Sequence, residues 1–112
     1  MTNLFKSFGW AIHGLKTVWK EERNFRIDVA VGALVLILAF FRNFAPGQWV
    51  FLVLIIALVL MGEIVNTAVE DICNKIQPEQ DPIIGKIKDI MAGYVLISAL
   101  AAVVAGIMLF VL

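Results

Sequence analysis

The sequence predicts an all-α integral membrane protein in which an N-terminal amphipathic surface helix precedes three transmembrane helices. The composition is the first observation: 62% of the 112 residues are hydrophobic and only 16% are charged. A soluble domain of this length has too little interior to bury so much apolar surface. The second is the presence of three mostly apolar stretches that approach the roughly 20 residues a helix needs to cross a bilayer. The length allows a single domain, 1–112, and the formal net charge of zero does not suggest nucleic-acid binding.

The segment 3–22 is predicted to form the surface helix. Its apolar side chains recur at steps of three and four residues, as on one face of a helix: Leu4, Phe8, Ala11, Leu15, Val18 and Trp19. Lysines supply a basic side: Lys6, Lys16 and Lys20. A helix with aromatic residues on one face and lysines on the other is typical of the membrane interface.

The three spans are predicted at about 25–44, 48–72 and 90–112. Basic residues indicate their orientation, because cytoplasmic segments carry an excess of Lys and Arg. Eight of the nine basic residues lie in the N-terminal segment or in the 71–89 loop, and one lies in the 42–48 turn. The N-terminus and the 71–89 loop are therefore expected in the cytoplasm, and the C-terminus outside.

Polar residues share one face of the second span. At about 100° per residue, Glu70 returns to within about 20° of Glu63, and Asn66 lies about 60° to one side. Glu63 falls roughly 21 Å along the helix from Trp49, inside the cytoplasmic leaflet. Carboxylates at such depth are costly, so they are candidates for function. The structural alternative is a polar seam that holds helices together.

Other charged residues collect at the same membrane face. They are Glu21, Glu22, Arg23, Arg26 and Asp28 before the first span, and Lys86, Lys88 and Asp89 before the third. Carboxylates from separate helices suit a hard cation such as magnesium, and a lysine beside them suits phosphate. Together they indicate a phosphoryl-transfer site facing the cytosol, although the sequence has no glycine-rich nucleotide loop of the soluble kinases.

Two other classes of protein compete with this interpretation. A small proton-coupled transporter also uses a membrane carboxylate, but here the carboxylates crowd one rim instead of the midplane. A structural membrane subunit would not need Glu63, Glu70 and Lys88 together.

Three sequence blocks resemble a known family. EIVNTAVE at 63–70 is similar to the signature of the small prokaryotic diacylglycerol kinases, and GKIKDIMAG at 85–93 is similar to a second block of that family. EERNFR at 21–26 resembles a third block, in the form found in the Gram-positive-type branch, which includes undecaprenol kinases. The resemblance covers nearly the whole chain.

This resemblance implies a homotrimer in a bacterial cell membrane, with active sites shared between subunits. It implies transfer of the ATP γ-phosphoryl group, with Mg²⁺, to a lipid alcohol: undecaprenol, or alternatively diacylglycerol. Glu63 would be the catalytic base and contact the lipid. Glu22 and Glu70 would hold magnesium beside the nucleotide. The remaining implied contacts are Asn66 and Lys88 with the phosphates, Asp89 with the nucleoside, Lys6 with the nucleotide, and Arg26 in a structural or lipid-binding role.

The chain departs from the family pattern at three positions. Asp71 stands where many relatives have a neutral residue, and Asn74 where the enterobacterial branch has an aspartate. Asp28 replaces a histidine that is frequent in the Gram-positive branch. These departures leave the main motif whole, and they bear on substrate preference.

Overall fold

Four helices make up the chain in a computed structural model that describes residues 2–112. They are α1 (Thr2–Glu21), α2 (Arg23–Phe41), α3 (Pro46–Ile76) and α4 (Pro82–Val111). The last three are long and apolar enough to cross a membrane. The prediction of an all-helical membrane protein with three spans is therefore confirmed.

Local sequence signals explain where α3 and α4 begin. Each has a proline in its first turn, where the missing N–H is not needed. The Gln48 side chain accepts a hydrogen bond from the backbone N–H of Ala45 at 2.8 Å. The Asp81 carboxylate accepts two, from the N–H groups of Ile83 at 2.9 Å and Ile84 at 3.2 Å. These bonds satisfy backbone donors that a helix start leaves without partners.

The connection between the second and third spans is shorter than the 71–89 loop that the sequence predicted. Helix α3 continues to Ile76 and α4 already begins at Pro82, which leaves only 77–81 between them. Helix α3 contains no interior proline that would end it where its apolar run stops. The apolar run indicates which part of a helix can lie in the hydrocarbon core, whereas the prolines and the Asp81 cap mark where α3 and α4 begin.

Close packing joins α3 to α4 beside the polar face of α3. A methyl group built at Gly62 would lie 3.4 Å from Ser98 Oγ and 3.6 Å from Tyr94 Cε2, so side chains of α4 pack next to the α3 backbone here. On the other side of α3, a methyl group at Gly32 of α2 would lie 3.1 Å from Ile56 Cγ2. Helix α1 packs against α2. Small residues of this kind allow membrane helices to approach each other.

At the opposite end of the bundle, the α2–α3 turn is tied to the end of α4. The Arg42 guanidinium donates to the backbone carbonyl of Phe110 at 2.9 Å, and the rings of Phe44 and Phe110 lie 4.8 Å apart. Asn43 adopts a left-handed backbone with φ of 55°, which asparagine tolerates better than most residues. These contacts hold the ends of three helices together.

Large apolar side chains of the three spans lie on the outer surface of the helix bundle. Phe40 is 70% exposed and Val111 is 74% exposed, and many other large apolar side chains of the three helices are also exposed in the single chain. An apolar surface this extensive requires lipid or other protein around it. The exposed surface agrees with a membrane protein.

Candidate active site

The polar face of α3 contains a buried carboxylate. Glu63 is only 5% exposed, although it lies in an apolar helix. Thr67, one turn later, is 3% exposed, and its hydroxyl donates to the Glu63 backbone carbonyl at 2.8 Å. The threonine therefore satisfies its own polar group and leaves the Glu63 side chain free for other contacts.

A cleft of about 380 Å³ opens beside Glu63 between α2, α3 and α4. Its lining consists of Asn24, Glu63, Asn66, Val69, Glu70, Lys88, Met91, Ala92 and Val95. Four of the residues predicted for the site thus line one cavity: Glu63, Asn66, Glu70 and Lys88. The cleft brings together two carboxylates, two amides and an amine, a set able to bind both a hydroxyl group and a phosphate.

A second carboxyl group faces the buried one across the helix interface. Asp28, on α2, lies close enough to Glu63 for the two carboxyl groups to interact. Asp28 also lines the end of an apolar groove of about 380 Å³ between α2, α3 and α4. Glu63 therefore lies between a polar cleft and the carboxyl end of an apolar groove.

Acidic residues concentrate where α1, α2 and α3 meet. Burial raises the pKa of the Glu22 carboxyl, the Glu70 and Asp71 carboxylates raise it further, and Arg26 opposes them. The Asp71 carboxylate is the largest cause of a raised pKa at Glu21. Raised carboxyl pKa values from mutual repulsion mark a place where a cation would be stabilised.

The chemistry of these carboxylates fits magnesium bound together with a phosphate. Within residues 2–112, no group of three or more His, Cys, Asp or Glu side chains is close enough to hold a metal ion by itself. Magnesium, however, usually takes one or two carboxylates and completes its shell with water and substrate phosphates. The Glu70 carboxylate is near enough to Glu22 to raise its pKa, and the two side chains could supply the oxygen ligands such a site needs.

Lys88 brings a positive charge to the cleft from the first turns of α4. Its ammonium donates to Asn74 Oδ1 at 2.9 Å, which connects the end of α3 with the start of α4. The same lysine borders a second cavity, formed by the 77–81 connection and the beginning of α4. Its ammonium therefore stands between the cleft and the connecting loop.

Arg26 has a structural partner. Its guanidinium donates to the backbone carbonyls of Trp19 and Lys20 at the end of α1, the latter at 3.1 Å. Carbonyls at a helix end have no intrahelical donor, so a guanidinium there satisfies them. The rings of Trp19 and Phe25 lie edge to face nearby, 6.5 Å apart. Arg26 thus joins α2 to the end of α1.

The other predicted residues lie outside the lining of the cleft. Glu22 is the extended residue between α1 and α2, and Lys6 is near the beginning of α1. Asp89 follows Lys88 on an exposed part of α4. Two residues that the sequence did not nominate join the site: Asn24 lines the cleft, and Asn74 bonds to Lys88. The polar stripe of α3 could have indicated Asn74, because it lies eleven residues after Glu63 and about 20° from it around the helix.

Comparison with known proteins assigns the chain to a family. Residues 9–110 match the prokaryotic diacylglycerol kinases. The chain belongs to this family. It is therefore a lipid kinase, and the resemblance seen in its sequence blocks is confirmed.

Individual relatives match over nearly the whole of this chain. The undecaprenol kinase of Bacillus subtilis is 30% identical over 98% of this chain and 89% of its own. The diacylglycerol kinase of Escherichia coli is 29% identical over 92% of this chain and 84% of its own. A Synechocystis diacylglycerol kinase is 34% identical over 93% of this chain but 60% of its own. The matched regions include the helices that line the cleft.

Proposed function

We propose that this lipid kinase transfers the γ-phosphoryl group of ATP to the hydroxyl group of undecaprenol at the cytoplasmic membrane face. The observation that carries the proposal is the cleft itself, in which the buried Glu63 stands with Asn66, Glu70 and Lys88. A base, phosphate-binding donors and a carboxylate for a metal ion are the parts that phosphoryl transfer to an alcohol requires.

Glu63 is the proposed general base. Its carboxylate accepts the proton of the lipid hydroxyl as that oxygen forms a bond to the γ-phosphorus. The bond between the γ-phosphorus and the bridging oxygen breaks, and ADP leaves. Burial of Glu63 next to an apolar groove supports this role, because the hydroxyl group of a lipid reaches the protein from the hydrocarbon side.

The charged groups around the cleft bind and orient the nucleotide. The Lys88 ammonium and the Asn66 amide donate to phosphate oxygens, while Asp89 and Lys6 contact the outer parts of ATP. Glu22 and Glu70 hold magnesium, which neutralises phosphate charge when bound. Positioning and charge neutralisation of this kind account for most catalysis of phosphoryl transfer.

The identity of the lipid is a choice between two alcohols. The match to an undecaprenol kinase over 98% of this chain and the EERNFR form of the first block favour undecaprenol. Matches to diacylglycerol kinases at 29% and 34% identity keep diacylglycerol as the alternative. Arg26 is a weaker candidate for contact with the lipid, because its guanidinium already binds the end of α1.

The proposal includes an assembly and an orientation. Three subunits share their active sites, α1 lies on the cytoplasmic surface of a bacterial cell membrane, and the C-terminus is outside. The exposed apolar faces of the three spans support contact with other subunits and with lipid. The distribution of basic residues supports the orientation.

Phosphate transfer from labelled ATP in mixed micelles tests the function. Undecaprenol and diacylglycerol are compared at equal mole fraction with excess Mg²⁺, and the labelled lipid is quantified. A clear preference for undecaprenol in kcat/KM is expected. A preference for diacylglycerol would overturn the lipid assignment and retain the mechanism. A folded sample that transfers phosphate to neither lipid would refute both and revive the remote alternative of a proton-coupled transporter.

A further inference from the structure

One hydrogen bond joins the two helices that form the cytoplasmic rim of the cleft. Lys88 Nζ, on α4, donates to Asn74 Oδ1, on α3, at 2.9 Å. The two residues lie on opposite sides of the short 77–81 connection. Both side chains are exposed, and nothing in the helix geometry alone would hold a flexible lysine at this point.

Asn74 stands at the cytoplasmic end of the polar stripe on α3. It follows Glu70 by four residues, so it lies one turn further along the same face. Without its oxygen, the Lys88 side chain would be free to turn toward the Glu70 carboxylate, which lines the same cleft. The hydrogen bond to Asn74 Oδ1 instead directs the ammonium to the cytoplasmic end of α3.

The amide is suited to this task because it is neutral. An ammonium group has three N–H donors, and Asn74 takes one of them, which leaves two for another acceptor. A carboxylate, which the enterobacterial branch has at this position, would also hold the lysine. In this chain, however, Asp71 already adds a negative charge where many relatives have a neutral residue, and a second one at 74 would offset the charge of the lysine. With an amide, the position is fixed and the positive charge is kept.

We propose that Asn74 is a positioning residue that holds the Lys88 ammonium at the rim of the cleft through a neutral oxygen. The charge and the two remaining donors then stay available for an anionic group. This inference rests on the proposed function, in which that group is the terminal phosphates of ATP.

Two variants at 74 separate the position of the lysine from its charge. Asn74→Leu keeps the approximate size and removes the acceptor. Its Kd for MgATP, measured with a fluorescent ATP analogue, is expected to rise about three- to tenfold, since an exposed hydrogen bond to a charged group contributes less than a buried one. Asn74→Asp keeps an acceptor and cancels the charge, so its KM for MgATP should rise while kcat stays near that of the unaltered enzyme.

A double-mutant cycle tests whether Asn74 acts through Lys88. In a Lys88→Met background, Asn74→Leu should change the Kd by less than about twofold, because the group it positions is gone. Lys86→Met, on the same helix, is the control background, and there the full effect of Asn74→Leu should persist. If Asn74→Leu does not fold, Asn74→Ala replaces it in the cycle.

The outcomes distinguish this inference from the proposed function. An unchanged Kd in Asn74→Leu, or an equal effect with and without Lys88, would overturn the role of Asn74 while phosphate transfer by the unaltered enzyme stands. An unchanged KM in Asn74→Asp would overturn the need for a neutral oxygen. An unaltered enzyme that binds no MgATP would overturn both proposals.

Discussion

Replacing Glu63 by glutamine keeps the size and shape of the side chain and removes its capacity to accept a proton. Glu63 is 5% exposed and lines the cleft, so water has little room to take over as the base. General-base catalysis contributes about 10²- to 10⁴-fold to rate. The expected fall in kcat therefore corresponds to about 2.7–5.4 kcal/mol of added barrier.

The binding of nucleotide should be nearly unaffected by Glu63→Gln. Lys88, Asn66 and Glu70 remain in the cleft, and the Kd for MgATP is expected to stay within about twofold of the unaltered value. Stability should be equal or higher, because the substitution removes a buried charge that faces Asp28. Single-turnover transfer in micelles, nucleotide binding and thermal unfolding measure the three quantities separately.

Thr67→Val is the matched control for this experiment. It changes the buried residue one turn away and removes the hydroxyl that donates to the Glu63 carbonyl at 2.8 Å, but it keeps the carboxylate. Its kcat should fall by no more than about fivefold, because a single neutral hydrogen bond contributes about 1 kcal/mol. Activity of Glu63→Gln within tenfold of the unaltered enzyme would refute the assignment of the base.

Three further changes follow from contacts around the site. Gly62→Ala should be tolerated, since its methyl group would lie 3.4 Å from Ser98 Oγ, an ordinary contact distance. Gly62→Leu should separate α3 from α4, lower the free energy of unfolding by about 1–3 kcal/mol and lower activity. Thermal unfolding measures both variants, and equal stability of the two would contradict the packing of α4 against Gly62. Arg26→Met should increase hydrogen exchange in the last turn of α1, because the Trp19 and Lys20 carbonyls lose their donor; unchanged exchange would argue against its structural role. The raised folded-state pKa of Glu22 means that the folded chain binds protons more tightly than the unfolded chain, so stability without metal falls as the pH rises through that range. Stabilisation by Mg²⁺ in thermal unfolding should therefore grow as the pH rises through the raised titration range of Glu22 and should disappear in Glu22→Gln; a pH-independent effect would count against the metal site.

The sequence predicted the helices and the polar stripe well because both depend on local spacing. Glu63, Asn66 and Glu70 share a face through the helical repeat alone, and the structure brings them to one cleft. The beginning of the third membrane-spanning helix was harder to predict from the sequence. An apolar run does not reveal that α4 begins at Pro82, eight residues before that run starts at Ile90.

Contacts between helices account for what the sequence did not reveal. Asn24 lines the cleft only because α2 packs beside α3, and its neighbours in the chain give no sign of it. The bond from Lys88 to Asn74 depends on the short 77–81 connection, which the predicted 71–89 loop would not have imposed. The resemblance suggested a structural or lipid-binding role for Arg26, but its carbonyl partners at the end of α1 became visible only in the fold.

Glu22 is the only residue between α1 and α2, and its backbone is extended, with φ of −113° and ψ of 107°. The proposed metal ligand is therefore also the junction between α1 and α2. Its backbone belongs to both helices, because its N–H donates to the Val18 carbonyl at 2.8 Å and its carbonyl accepts from the Arg26 N–H at 3.3 Å. A change in the angle between α1 and α2 would therefore alter the position of this carboxylate relative to Glu70 and Asp71 on α3.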